Sequence, residues 1–374
     1  MDGAKNSSRC LKLLSRLLFG LGTPDTSELS GRRIPRRKSM EEIGRIITGF
    51  APQDFGELWA LAVSHHVILR AFPPLQEIMV AQRIEQAKAV ENAMLKERAR
   101  IDNALSFLST ICEALKAAGD VIVIKSLDHW PDLGSDLDLY ADADGANIVS
   151  IMRQRFGARL EERSWGDRLA NKWNFIVPGL PELVEVHVGR LGQTGEQVAV
   201  AKSLVKRARE AEFGGLTLSV SAPEERLLIS TLQRMYRHFY LRLCDIADTA
   251  RLIESGTVDY VYLKSLARSA GLWDGLATYL VMVSGYVESY RGEGLPLPSL
   301  VTDAARFGPE HISFRRKFLR IPIFPQAVKL YATEWKSLLL NGEVRNTFRL
   351  SLLPGLAAAA ALEFKLTGSD KGIW

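Results

Sequence analysis

The stretch Val121–Tyr140, VIVIKSLDHWPDLGSDLDLY, predicts the centre of the fold. It begins with four apolar residues that favour strands, Val121–Ile124, a pattern typical of a buried strand. It ends with the alternating sequence Asp-Leu-Asp-Leu at 136–139. Because side chains alternate between the two faces of a strand, Asp136 and Asp138 share one face, about 7 Å apart, while the leucines face the core. Two carboxylates in this arrangement can bind one hard cation between them.

A third carboxylate, Glu185, lies on a later predicted strand, Leu183–Val188, in which valines alternate with Glu185 and His187. The intervening chain contains a predicted helix and further strands, which is enough to place this strand beside the Asp strand. We therefore predict that the carboxylates of Asp136, Asp138 and Glu185 converge in one metal site, about 4–7 Å apart.

Outward from this stretch, the predicted elements divide the chain into four segments: 1–40, 41–119, 120–222 and 223–374. The second segment is helical, with a helix from Asp54 towards Leu69, a break at Pro73-Pro74 and a long helix that ends at Gly119. The third alternates strands and helices, and the fourth is helical again. We predict an α+β fold with a small mixed β-sheet, flanked by N-terminal and C-terminal helical regions.

Within 120–222, Asp144 is predicted to cap a helix, and a second helix is predicted from about Gly195 to Ala211. The remaining predicted strands are Leu160–Arg163, Lys172–Val177 and Leu216–Val220.

The positive charge of the chain is concentrated at its N-terminus. The net charge is +5, and residues 1–40 contribute nine Lys or Arg and three Asp or Glu, which leaves the remainder near neutral. That balance excludes a domain-wide basic surface for nucleic acid. We predict that residues 1–40 are a mobile basic tail. Its amphipathic stretch Leu11–Phe19 leaves two interpretations open: a solvated tail, or a weak membrane or polyanion contact.

Targeting signals are weak. Lys12 and Arg16 interrupt the N-terminal apolar stretch, so it does not fit a secretion signal, and no stretch has the ~20 apolar residues of a membrane-spanning helix. The three cysteines, Cys10, Cys112 and Cys244, lie far apart and form no metal-binding spacing. Their pattern indicates a reducing compartment, and we expect a cytoplasmic protein.

The ordered motifs resemble those of the nucleotidyltransferase fold of the DNA polymerase β superfamily, and within it a bacterial family of uncharacterised nucleotidyltransferases. The matching pieces, spread over about residues 50–290, are Leu58–Ala62, the long helix to Gly119, Ile124-Lys125-Ser126, Gly134–Leu139, Glu185-Val186-His187 and Cys244–Ala247. Two positions depart from the family pattern: Ser126 replaces a usual Gly, and Glu185 replaces a usual Asp.

The resemblance implies a metal-dependent transfer of a nucleoside monophosphate, AMP from ATP in the first instance. Asp136, Asp138 and Glu185 would be the catalytic metal ligands for Mg²⁺ or Mn²⁺. The acceptor hydroxyl would belong to a protein, an RNA end or a small molecule.

The resemblance also implies four nucleotide-binding residues, and for three of them an alternative role remains open. Ser126 would contact the terminal phosphates. Lys125 would either offset phosphate charge or cap its strand, Ser135 would contact nucleotide or brace the turn, and His187 would be functional or structural.

Other polar residues carry weaker hypotheses. His129 and Trp130 could contact a base or pack the loop, and Asp245 and Asp248 could reach the active site or serve as a helix cap and ion pair. His65, His66 and His238 match no metal-ligand spacing. Two further functions remain alternatives to catalysis: an inactive nucleotidyltransferase-like binding scaffold and a membrane-surface adaptor.

Overall fold

A seven-stranded mixed β-sheet forms the centre of the protein, in a computed structural model that describes residues 2–21, 36–315 and 317–367. Its strands are β1 Asp120–Val123, β2 Asp136–Asp142, β3 Arg159–Leu160, β4 Lys172–Ile176, β5 Leu183–Val188, β6 Arg209–Phe213 and β7 Leu216–Val220. Their spatial order is β3-β4-β5-β2-β1-β7-β6, with β2 parallel to β5, β1 parallel to β7, and the other pairs antiparallel.

Helices lie before, between and after the strands of the sheet along the chain. The N-terminal ones are α1 Asp2–Ser15, α2 Arg36–Thr48, α3 Pro52–Ser64, α4 Ile68–Ala81 and α5 Ala87–Leu115. Those within the sheet region are α6 Gly145–Phe156, α7 Trp165–Ala170 and α8 Val198–Arg207. The C-terminal ones are α9 Pro223–Thr231, α10 Leu243–Glu254, α11 Tyr260–Ser269, α12 Trp273–Arg291, α13 Ser299–Thr302, α14 Val328–Leu340, α15 Val344–Ser351 and α16 Leu353–Thr367. A second, three-stranded sheet consists of β8 Tyr240–Leu241, β9 Ser313–Arg315 and β10 Phe318–Arg320.

The continuous apolar run of β1 is explained by burial of both faces of the sheet. Val121 and Val123 pack with the core formed by α5 and α6, whereas Ile122 and Ile124 pack with the larger helical core on the other face. In β2 the leucines belong to the α5/α6 side, so the two aspartates point towards the C-terminal helices. The α+β class with a mixed sheet is confirmed, although the sheet is larger than predicted.

The predicted strands Leu183–Val188 and Leu216–Val220 are confirmed residue for residue. The predicted helix from Gly195 to Ala211 is wrong at its end, since α8 stops at Arg207 and 209–213 form β6. Residues 209–220 instead make a hairpin closed by two glycines with positive φ. Hairpin pairing here outweighs the helical propensity of the Glu and Ala residues.

The predicted strand Leu160–Arg163 is shorter in the structure. It ends at Leu160, and Ser164 then caps α7 by accepting a hydrogen bond from the Asp167 amide at 3.0 Å.

The predicted helix break at Pro73-Pro74 is wrong, because both prolines lie inside α4. The break comes earlier, at His66, whose φ of 50° ends the helical path after α3. The buried side chains around the prolines, Phe72 and Leu75, pack in the core. This tertiary packing outweighs the backbone hydrogen bonds that the prolines cannot make.

The expectation of an unpacked N-terminal tail is wrong for the part of it that the structure describes up to Leu21. Helix α1 packs against α3, and Leu14, Leu17 and Phe19 are nearly fully buried. The Ser15 hydroxyl shares a 2.7 Å hydrogen bond with the Tyr286 hydroxyl of α12. The apolar face of this segment therefore covers the protein core, where burial of each large side chain contributes about 1.5–3 kcal/mol, rather than a membrane. Residues 22–35 of the predicted tail lie outside the described residues.

Across the described ranges, every helix is too short or too polar to cross a lipid bilayer.

Candidate functional site

The pairing of β2 with β5 determines the site. The two strands are parallel, and Asp138 is the direct partner of Glu185 in the register. A carboxylate oxygen of Asp138, one of Glu185 and a ring nitrogen of His187 all lie within 4.8 Å of one another. We call Asp138, Glu185 and His187 the sheet cluster. Asp136 lies two residues earlier on β2, level with Leu183, and does not join this group.

Two lysines hold the carboxylates of the sheet cluster. The Lys125 ammonium donates to Asp138 and lies 3.4 Å from Glu185 Oε1. The Lys172 ammonium, from β4, donates to Glu185 Oε2 at 2.9 Å and pairs with Asp167 at the same distance. The His187 Nε2 atom lies 2.8 Å from Glu185 Oε1. Both acids of the cluster are thus paired with positive charge in this structure.

Lys125 occupies a strained backbone position. Its φ of 58° and ψ of −60° form a tight three-residue turn, closed by a hydrogen bond from the Ser126 amide to the Ile124 carbonyl. This γ-turn is rare for a residue with a side chain, and such strain persists only where the surroundings enforce it. The turn places the lysine ammonium over the sheet cluster at the end of β1.

The predicted serines have different positions. The buried Ser126 hydroxyl donates to the Asp136 carbonyl at 3.0 Å and accepts from the Asp138 amide at 2.7 Å. It therefore joins the end of β1 to β2, and in this structure it does not face open space as a phosphate ligand would. Ser135 donates to Asp136 Oδ2 at 3.2 Å, in agreement with the bracing alternative.

Burial and charge separate the pKa values of the cluster. Burial raises the pKa of Asp138 to about 7, against the lowering effect of Lys125. Burial also acts to raise the pKa of Glu185, but Lys125, the hydrogen bond from His187 and Lys172 together hold it well below its usual value. Burial and the adjacent Lys125 lower the pKa of His187 to about 4. A neutral imidazole can hold the Glu185 carboxylate through its Nε2 atom without adding charge to the cluster.

A small cleft of about 50 Å³, partly open to solvent, borders the sheet cluster at Lys125 and His187. Its lining also includes Arg237 and Glu334, and its apolar part comes from residues such as Leu353. The cleft thus lies between the sheet and the C-terminal helices, with two cations at its edge.

Glu334 is a buried acid in the wall of this cleft. The Gln197 amide donates a 2.6 Å hydrogen bond to its Oε1. Burial and the nearby Glu196 raise the pKa of Glu334 well above its usual value.

A second cluster lies away from the cleft, at the junction between the chain that follows β1 and helix α10. The structure places His129, Cys244 and Asp245 with their donor atoms within 4.8 Å of one another. We call them the junction cluster. Asp245 also accepts from the Arg242 amide at 2.7 Å, so the helix-cap alternative for this residue agrees with the structure. Arg70 of α4 pairs with Asp248 at 2.7 Å, in agreement with the ion-pair alternative.

Sequence reasoning missed Lys172 and Arg237 at the site. Lys172 stands out as a lysine in the mostly apolar pattern of β4, which could have marked it as a site residue. Its partner, Glu185, is identifiable only from the pairing of β4 with β5. Arg237 lies in a π-helical turn at 232–238 after α9, a local distortion that no sequence pattern predicted.

No known protein family matches the chain, and neither does any curated protein.

Proposed function

We propose that the protein is a metal-dependent nucleotidyltransferase that moves a nucleoside monophosphate, AMP from ATP, to the hydroxyl of an acceptor. One observation carries the proposal: Asp138 and Glu185 face each other on adjacent parallel strands at the edge of a cleft. Acids on the strand end of a mixed sheet, next to a cleft with Lys125 and Arg237, provide both cation ligands and charge for phosphates.

The donor atoms of the sheet cluster suit a hard divalent ion. Mg²⁺ or Mn²⁺ prefers carboxylate oxygens, and both acids offer them at mutual distances compatible with one ion. Asp138 and Glu185 would be its ligands, and Asp136 would hold it or its bound water. When bound, the ion would offset the charge of the triphosphate and of the developing transition state.

The residues of the chain would do the remaining work. Lys125, released from Asp138, would turn its ammonium towards phosphate oxygens, and Arg237, which also lines the cleft, would do the same. Ser126 would keep Asp136 and Asp138 at a fixed spacing through its two hydrogen bonds. The neutral His187 would orient Glu185 by hydrogen bonding.

One observation favours the second candidate function, an inactive scaffold that binds a partner or nucleotide. The Lys125 ammonium lies between Asp138 and Glu185, where a cation would bind, so the acids are neutralised without metal. In an inactive protein this ion pairing would be permanent. The proposal also includes an acceptor that is a protein, an RNA end or a small molecule, and a polyanion contact of the basic N-terminus. It further includes a cytoplasmic location, which the three free cysteines suit.

Incubation with labelled ATP, GTP, CTP or UTP, Mg²⁺ or Mn²⁺ and a cell extract tests the proposal. We expect label to move from ATP to an acceptor only with the metal, and Glu185→Gln to reduce the transfer by about 10²-fold. Asp142→Asn, an exposed acid on the same β2 strand, is the matched control and should transfer normally. Absence of transfer by the wild type with all four nucleotides, together with unchanged nucleotide binding in Glu185→Gln, would support the scaffold.

A further inference from the structure

The junction cluster has the composition of a transition-metal site. His129 lies in the short helical turn Ser126–His129 after β1, and Cys244 and Asp245 lie in the first turn of α10. All three residues are buried. Thiolate, imidazole and carboxylate together are ligands that zinc accepts, whereas Mg²⁺ avoids sulfur.

The distances between the donor atoms agree with a shared ion. The Cys244 Sγ atom lies 3.8 Å from His129 Nε2 and 3.9 Å from Asp245 Oδ1. Zinc at ordinary bond lengths to sulfur and nitrogen, with a tetrahedral angle, sets these donors about 3.5 Å apart. A small inward movement of the side chains would suffice to bind it.

The surroundings orient the donor atoms as they do around metal ligands. The His129 Nδ1 atom makes a hydrogen bond to the carboxylate of Asp248, so Nδ1 carries the proton and Nε2 faces Cys244. A histidine held by a carboxylate through one ring nitrogen, with the other free to coordinate, is the usual arrangement at metal sites. Asp248 is itself fixed by Arg70 at 2.7 Å.

The carboxylate of Asp245 is also oriented by its neighbours. Its Oδ2 atom accepts a hydrogen bond from the Arg242 amide and forms an ion pair with Arg234 Nε, both at 2.7 Å. The Oδ1 atom is left facing the Cys244 sulfur. Arginine and a helix cap therefore occupy one oxygen and leave the other available to an ion.

We propose that His129 Nε2, Cys244 Sγ and Asp245 Oδ1 bind a zinc ion, or a divalent transition metal of similar ligand preference. Asp248 is the positioning residue for His129. The ion connects the turn before the Asp strand to α10 and so fixes the sheet against the C-terminal helices. This site is separate from the sheet cluster, which contains no sulfur, and it does not depend on the proposed transferase activity.

Cobalt substitution of the full-length protein tests the site directly. The metal-stripped protein is titrated with Co²⁺, and a near-ultraviolet thiolate-to-cobalt charge-transfer band is recorded, because only a cysteine ligand gives it. We expect the band to saturate at about one Co²⁺ per chain and to disappear on addition of Zn²⁺. Cys244→Ser should lose the band, and Cys112→Ser, a buried cysteine of α5, should keep it.

X-ray absorption of the zinc-loaded wild type covers the case in which Cys244→Ser does not fold. The expected first shell contains one sulfur at about 2.3 Å and lighter scatterers at about 2.0–2.1 Å. A zinc shell without sulfur, no charge-transfer band in the wild type, or a band that persists in Cys244→Ser would each overturn the proposal.

Discussion

The sheet cluster and the junction cluster both combine a histidine with acidic side chains, but their acids are paired with different cations. Lysines balance the acids of the sheet cluster, at the edge of a cleft. Arginines balance the acids at the junction, in the interior: Arg70 reaches Asp248, and Arg234 reaches Asp245. A lysine is a point charge on a flexible stem, whereas an arginine fork is fixed in direction by several hydrogen bonds. We therefore expect the lysines of the sheet cluster to change partners more readily than Arg70 and Arg234 at the junction.

The largest expected effect concerns the junction. Arg70→Met removes the partner of two buried acids, Asp132 and Asp248, and should lower the free energy of unfolding by about 3–5 kcal/mol. Urea denaturation measures this loss. Arg251→Met is the control, since Arg251 is half exposed and lies 3.8 Å from the same Asp248, and should cost about 1 kcal/mol or less. Equal losses in both variants would remove the distinction between fixed and exchangeable pairs.

The next effect concerns the sheet cluster. Asp138→Asn keeps the shape of the side chain but removes a ligand charge, and should reduce metal-dependent nucleotide transfer by about 10²-fold or more. Its free energy of unfolding should stay within about 1 kcal/mol of the wild type, because burial already favours the neutral form of Asp138 and Lys125 retains Glu185 as a partner. Label transfer and urea denaturation on the same samples check both parts. A loss of activity that merely follows a loss of stability would contradict the assignment.

Lys125→Met tests whether the Lys125 ammonium occupies the place of a metal ion in the sheet cluster. If the Lys125 ammonium competes with a divalent ion for Asp138 and Glu185, its removal should increase the affinity for Mn²⁺ by about tenfold, or about 1.4 kcal/mol. Electron paramagnetic resonance of free Mn²⁺ measures the affinity. Lys116→Met, at an exposed position on the segment after α5, should leave it unchanged. Unchanged or weaker binding in Lys125→Met would show that the lysine does not compete with the ion.

The smallest effect is a pH dependence at the cleft. Glu334 has a raised pKa in the folded protein, so its contribution to stability is fully present below the pKa of the unfolded chain and is lost as pH rises through the folded value. Glu334→Gln cannot ionise and can still accept from Gln197. We expect its melting temperature to exceed that of the wild type by a few degrees at about pH 8 and to match it near pH 4. Glu91→Gln, an exposed change on α5, should show no such divergence.

Local alternation made much of the sheet cluster predictable. The Asp-Leu-Asp-Leu pattern sets which side chains of β2 share a face, and the valines of β5 do the same for Glu185. The parallel pairing of these strands then completes the cluster. Lys172 could not be assigned, since its contact with Glu185 depends on which strand lies beside β5 and not on spacing along the chain.

The junction cluster and the N-terminal helix show where sequence reasoning stops. His129 and Cys244 are 115 positions apart and meet only through tertiary packing, so no spacing rule connects them. In the sequence, Leu14 and Leu17 look like part of an exposed amphipathic segment. The surface that buries them, near Tyr286 of α12, forms only when the chain has folded.

Arg70 also has a consequence for how the protein assembles. It contacts Asp132, 62 residues away in the turn before β2, and Asp248, 178 residues away in α10. Contacts at such separations require closure of long loops, which slows folding and delays these pairs until distant helices have docked. We therefore expect the turn before the Asp strand to reach its final position only after α10 has been synthesised, because Arg70 holds Asp132 and Asp248 together.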